Sequence, residues 1–162
     1  MELIKKVHLA KEKTVMNLLK NDMEELNTCF KAGAYKATLI LAGSILEAFL
    51  IDWLSEINGT NYFKEEYYVF DKRTNQKRRA NLIDYIDSIN EIERPEWIKE
   101  ANMAHTIRQK RNLVHAKLGI NSNEVNKNTC RMVIDYLKNI ILKRAQITSK
   151  DRCADYSENS VY

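Results

Sequence analysis

The sequence predicts an all-α fold, a bundle of about five helices. Three observations carry that expectation. Four glycines and one proline among 162 residues are too few to punctuate the many turns of an all-β fold. Long stretches carry apolar residues at three- and four-residue intervals, the period of an amphipathic helix. One of those stretches is apolar nearly all round, as suits a helix in the middle of a bundle or at a subunit contact.

The elements follow in order. Residues 3–32 carry Val15, Leu18, Leu19, Leu26, Cys29 and Phe30 at helical spacing, and Gly33 is a natural C-cap. Residues 34–58 form the helix that is apolar on most sides, with Ala37, Leu41, Ser44, Ile45, Ala48 and Ile51 along one of them. Ala42-Gly43-Ser44 would let another backbone come close, and Asn58-Gly59-Thr60 is a stop signal. Residues 60–79 repeat at no clear period and are expected to be an ordered, partly packed loop. It begins with aromatics (Tyr62, Phe63, Tyr67, Tyr68, Phe70) and ends with five basic residues in eight. Residues 80–92 predict a short helix with Leu82, Ile83, Ile86 and Ile89 inside. Pro95 suits the first turn of the next helix, expected over 95–118 with Met103, Ile107, Val114 and Leu118 as its core stripe and Gly119 as its end. Asn121 and Glu124 have the spacing of a capping box for a last helix over 122–146. A single domain over 1–147 is therefore expected, and the polar, aperiodic residues 148–162 are expected to be a disordered tail.

Hydrophobic residues at 44% and charged residues at 30% are ordinary for a soluble globular protein. The net charge of +4 hints at an anionic partner only if the basic residues cluster. Cys29, Cys130 and Cys153 are odd in number and contain no CxxC pair, which suits reduced thiols in a cytoplasmic protein. No His or Cys pair has zinc-ligand spacing, so neither a metal nor another cofactor is expected. The first residues lack the pattern of a signal peptide. The longest apolar stretch, 39–51, is too short to span a bilayer, and no membrane partner is expected.

Chemistry gathers at Ile107-Arg108-Gln109-Lys110-Arg111-Asn112-Leu113-Val114-His115. On a continuous helix Arg108, Arg111, Asn112 and His115 stand at i, i+3, i+4 and i+7, one face. That stripe would normally carry Leu or Val. Here it carries two cations, an amide and the side chain most readily protonated near neutral pH, a set suited to a phosphodiester. The helical rotation puts Arg111 and His115 at the border of the core stripe, anchored yet reachable.

Residues 34–47 and 108–115 together make the chain similar to the HEPN superfamily of small all-α domains. The first segment resembles that family's second core helix with its acidic residue, here Glu47. The second resembles its Arg-x(4–6)-His signature, and the likeness spans residues 5–146. Arg108 and His115, with six residues between them, satisfy the signature; Arg111 and His115, with three, depart from its strict count, and the choice of signature arginine stays open between the two. The resemblance implies metal-independent RNA cleavage, often in toxins or antiviral defence, with an active site built from two copies of the motif across a homodimer contact. It also implies RNA as substrate and an antitoxin or other regulatory protein as partner. Lys117 stands where some members carry a tyrosine modified by that partner.

On this basis the expected catalytic set is Arg108, Arg111, Asn112, His115 and Glu47. His115 would be general base or acid, Arg108 and Arg111 phosphate clamps, and Asn112 the residue orienting His115 or a phosphate. Plain alternatives stand beside each. His115 would be a helix-end residue favouring the dipole, the arginines a solvated face, Asn112 a link to a neighbouring helix, and Glu47 half of a structural ion pair. Lys72, Arg73, Lys77, Arg78, Arg79, Lys110 and Lys117 are the expected RNA-binding residues. Aromatics followed by cations suit a single-strand binder; the plain alternative is packed rings with solvated charges. His8 and His105 are expected to be incidental, and Trp53 and Trp97 packing residues. The rival to an endoribonuclease is a non-catalytic HEPN-like module that binds nucleotide, RNA or a protein.

Overall fold

A computed structural model describes residues 13–71, 73–93, 95–115 and 123–158, with side chains as far as residue 147. It contains α1 (Lys13–Lys31), α2 (Tyr35–Asn58), β1 (Tyr68–Phe70), β2 (Lys77–Arg79), α3 (Leu82–Ile92), α4 (Ile98–Asn112) and α5 (Lys127–Glu158). Among the described residues the fold is thus an all-α bundle of five helices bearing one small hairpin.

The helix with almost no polar side lies at the centre. α2 packs on α1, α3, α4 and α5, and Leu39, Ile45, Leu46, Phe49, Leu50, Trp53 and Leu54 along it are buried. Among the described residues it is the one helix long and apolar enough to cross a membrane, longer than the 39–51 stretch alone suggests. Trp53 and Trp97 meet edge to face with centroids 4.8 Å apart, buried at 2% and 0% exposure, so both are packing residues.

The turns follow the glycines. Gly33, at φ +76°, closes α1 with paired bonds, Gly33 N–H to the Phe30 carbonyl and Ala34 N–H to the Cys29 carbonyl. This left-handed cap suits a residue without a Cβ. Cys130 of α5 is buried and donates to the Tyr35 carbonyl at 3.4 Å; burial pushes its thiol up to about 11.

Four expectations are corrected. The 60–79 segment holds an antiparallel hairpin, in register Tyr68 with Arg79, Val69 with Arg78 and Phe70 with Lys77. α4 stops at Asn112, with Leu113, Val114 and His115 N–H groups bonded three residues back. The cap of α5 is Asn126, whose Oδ1 accepts from Thr129 N–H at 3.0 Å; Glu124 instead pairs with Lys110. α5 then continues to Glu158, past residue 147, because no glycine or proline follows Gly119 to end it. His8, Gly119 and Asn121 lie outside the described residues.

Candidate functional site

The inner stripe of α4 runs from the buried Trp97 through Ala101, Ala104 and Ile107. The small alanines let α4 lie close to its neighbours. Continued at the same spacing, the stripe reaches Arg108 and Arg111, so these arginines leave the helix on the side that faces the bundle. That is further inward than the core stripe inferred from Met103, Ile107, Val114 and Leu118. Met103 and Val114 are only partly buried, and Leu118 lies outside the described residues.

Arg111 rests on α2. A methyl group added to Gly43 would fall 2.3 Å from Arg111 Cδ and 2.9 Å from its Cγ. Only a glycine leaves room for that stem to lie flat on the helix backbone. At Gly43, within Ala42-Gly43-Ser44, the close approach is made by an arginine side chain. One turn on, Arg111 Nη1 donates to Glu47 Oε2 at 3.2 Å. The Glu47 side chain is 32% exposed and that of Arg111 34%. An ion pair so open to water contributes about 0–1 kcal/mol to stability. Its main effect is to hold the guanidinium in one place with an open side.

Arg108, one turn earlier, is half-buried. Its Nε is shut off from solvent and has no hydrogen-bond partner. A buried donor left in that state costs about 1–3 kcal/mol. Asn112 is half-buried at the last position of α4, and its carbonyl accepts from His115 N–H at 3.3 Å. His115 is exposed, past the helix end. The four residues therefore do not share one helical face. Arg108 and Arg111 point into the bundle, and His115 stands beyond them on a tightened turn.

The basic residues sort into three groups. Arg78 points inward and grips Asp84 of α3 with two bonds, 2.7 and 2.8 Å, so it is an anchor and not a free cation. Lys110 is tied to Glu124 at 2.9 Å. Arg73, Lys77 and Arg79 remain exposed, with Arg79 3.6 Å from Glu66. Lys72 and Lys117 lie outside the described residues. His105 lies 3.2 Å from Asp87 of α3.

Tyr85 of α3 lies beneath the hairpin. Tyr67, just before β1, stacks on it with centroids 5.9 Å apart. Burial pushes the Tyr85 phenol above its ordinary value; the Glu47 charge adds to this and Arg79 opposes it.

A second charged group escaped the sequence reasoning. Arg144 of α5 donates through one Nη to Asp52 at 2.8 Å and Glu56 at 2.7 Å, while its guanidinium lies 5.0 Å from the Phe49 ring and 5.8 Å from that of Trp53. The available signal was Asp52 itself, an acid on the most apolar helix. Two cavities lie apart from Arg111. One of about 350 Å³ is lined by Asp52, Glu56, Asn61 and Lys64, and one of about 560 Å³ by Gly33, Tyr35, Ile40 and Val125. Among the described residues no group of three or more His, Cys, Asp or Glu side chains could hold a metal ion.

No family model matches the chain, and neither does any curated protein or solved structure.

Proposed function

We propose that this chain is a metal-independent endoribonuclease of HEPN type, acting as a homodimer in a toxin or phage-defence role. One observation supports this above the rest. Arg111 is seated on Gly43 and steered by Glu47, beside an arginine whose buried Nε lacks an acceptor. An anionic phosphate would share Arg111 with Glu47 at the open side of the guanidinium, and half-buried Arg108, one turn earlier, adds positive charge beside it. In the reaction the 2′-oxygen attacks phosphorus, forming one P–O bond as the P–O5′ bond breaks. The 2′-hydroxyl proton goes to a base, and an acid protonates the departing 5′-oxygen. His115, exposed at the helix end, serves in one of these roles, and His115 of a second copy in the other. Preorganised arginine charge around the phosphorane supplies most of the acceleration.

A second reading is a non-catalytic module that binds RNA, nucleotide or protein. It is favoured by the early end of α4, which takes His115 out of the arginine stripe. Labelled RNA incubated with pure protein in EDTA separates the two. The nuclease reading expects products ending in a 2′,3′-cyclic phosphate, lost in His115→Ala and in Arg111→Ala. Uncut RNA, or cutting that survives His115→Ala, overturns it.

A further inference from the structure

The hairpin has two unlike faces. Strand alternation turns Tyr67, Val69, Arg78 and Ala80 inward and Tyr68, Phe70, Lys77 and Arg79 outward. The inner face is fastened to α3 twice, by the Tyr67–Tyr85 stack with the hydrogen bond between the Tyr67 and Ser88 hydroxyls and by the pair of hydrogen bonds from Arg78 to Asp84. The outer face is left to solvent on a rigid support. Phe70 is 69% exposed and Tyr68 45%. Lys77 pairs with Phe70 across the strands and sets its ammonium 4.6 Å from the centre of the Tyr68 ring. Arg79 lies opposite Tyr68. Glu66, bonded by the Tyr68 hydroxyl, offsets part of this charge.

The geometry points to the outer face of this hairpin as a stacking platform for single-stranded RNA, with Phe70 and Tyr68 as base supports and Lys77 and Arg79 as contacts to the phosphates between them. The proposal rests on the reading of the chain as an RNA-directed protein and adds where the strand is held. Every ring on the face has a cation as its cross-strand neighbour, an arrangement suited to alternating bases and phosphates. A protein-docking patch would instead have an apolar centre with charge kept to its rim. Rings two residues apart on a strand are about 7 Å apart, roughly twice the ~3.4 Å rise between stacked bases. Successive bases of an extended strand can reach both rings; bases locked in a duplex cannot. Tyr85 lies beneath the hairpin and supports it from the inner side.

The test uses the full chain and a labelled octamer of 2′-O-methyluridine, which cannot cyclise, with binding followed by fluorescence anisotropy. Phe70→Ala should weaken binding on the order of tenfold, Tyr68→Ala/Phe70→Ala further, and Phe70→Trp should preserve it. An octamer duplex of the same chemistry should bind more weakly than the single strand and be indifferent to these changes. The exposed side chains can be replaced without disturbing the core, and circular dichroism confirms that. Wild-type affinity in the double variant, preference for the duplex, or no binding by the wild type overturns the platform. A deoxy octamer that binds more tightly than the 2′-O-methyl strand overturns RNA as its occupant. A change in oligomeric state with unchanged RNA affinity would reassign the face to protein contact and equally overturn it. Hairpin-dependent binding without cleavage removes only the nuclease reading. Cleavage with hairpin-independent binding removes only this one.

Discussion

Replacing Gly43 by alanine separates Arg111 from its charge partner without touching either charge. The added methyl group would fall 2.3 Å from Arg111 Cδ, the middle of the side chain, so the whole stem must swing away from Glu47. Alanine is the better helix former by about 1 kcal/mol, and the lost ion pair is worth no more than that. Thermal stability should therefore change little. RNA cleavage should fall at least tenfold, because the guanidinium no longer waits where the phosphate arrives. A variant that cuts as fast as the wild type, measured by initial rates on one labelled RNA, would show that the seat of Arg111 is irrelevant to the chemistry. The arginines and Glu47 were legible as residue types, since charges on otherwise apolar stripes stand out. That Arg111 lies on Gly43 was not, because a glycine in a helix gives no sign of which neighbour needs the space.

Among the elements, the small hairpin carries the clearest pH signature. Asp84 sits inside the capping box of α3, taking the Asn81 N–H while the Asn81 side chain takes that of Ile83. Burial pushes its carboxyl up, but the Arg78 guanidinium and the Asn81 N–H more than offset this and hold it below the ordinary aspartate value. Asp71 in the turn is also held low, first by the Arg73 N–H and then by that of Thr74. A lowered carboxyl contributes stability above its unfolded value of about 3.9 and loses it as pH falls toward the folded value. Asp84→Asn should cost about 1 kcal/mol at neutral pH, the size of a helix cap. Urea unfolding should show that gap closing below about pH 4; a gap constant with pH would refute the ionic origin. These strands were hidden from the sequence because three residues are too few to display a period, and KRR reads as solvated charge until Arg78 is seen turning inward. The long helices were legible because burial repeats every turn, and Gly33 and Gly59 ended two of them as expected. The early end of α4 had no such sign, as nothing between Asn112 and Gly119 is a helix breaker.

For the molecule as a whole, α2 is the hub, and its hold on the last helix passes through one buried cation. Arg144 and Asp52 have side chains only 6% and 5% exposed, and Glu56 26%, so the cation and its deeper acid are largely screened from solvent. Taking three ionised groups out of solvent is expensive, and the intact cluster need not stabilise the fold relative to an apolar one. Breaking it is a different matter. Arg144→Ala leaves Asp52 and Glu56 without their guanidinium and strips the Phe49 and Trp53 rings of a flat neighbour. The expected loss is roughly 3–5 kcal/mol in a cooperative unfolding transition. Lys138→Ala, which breaks the exposed pair with Asp135, should cost less than about 1 kcal/mol. Arg144→Met restores much of the volume but not the charge, so it should recover only part of the loss. Asp52→Asn combined with Arg144→Met removes the more deeply buried of the two acids along with the cation and should recover more. If Arg144→Ala proves no worse than Lys138→Ala in denaturant titrations, α5 is held by apolar packing alone and the buried cluster is not what fastens it to α2.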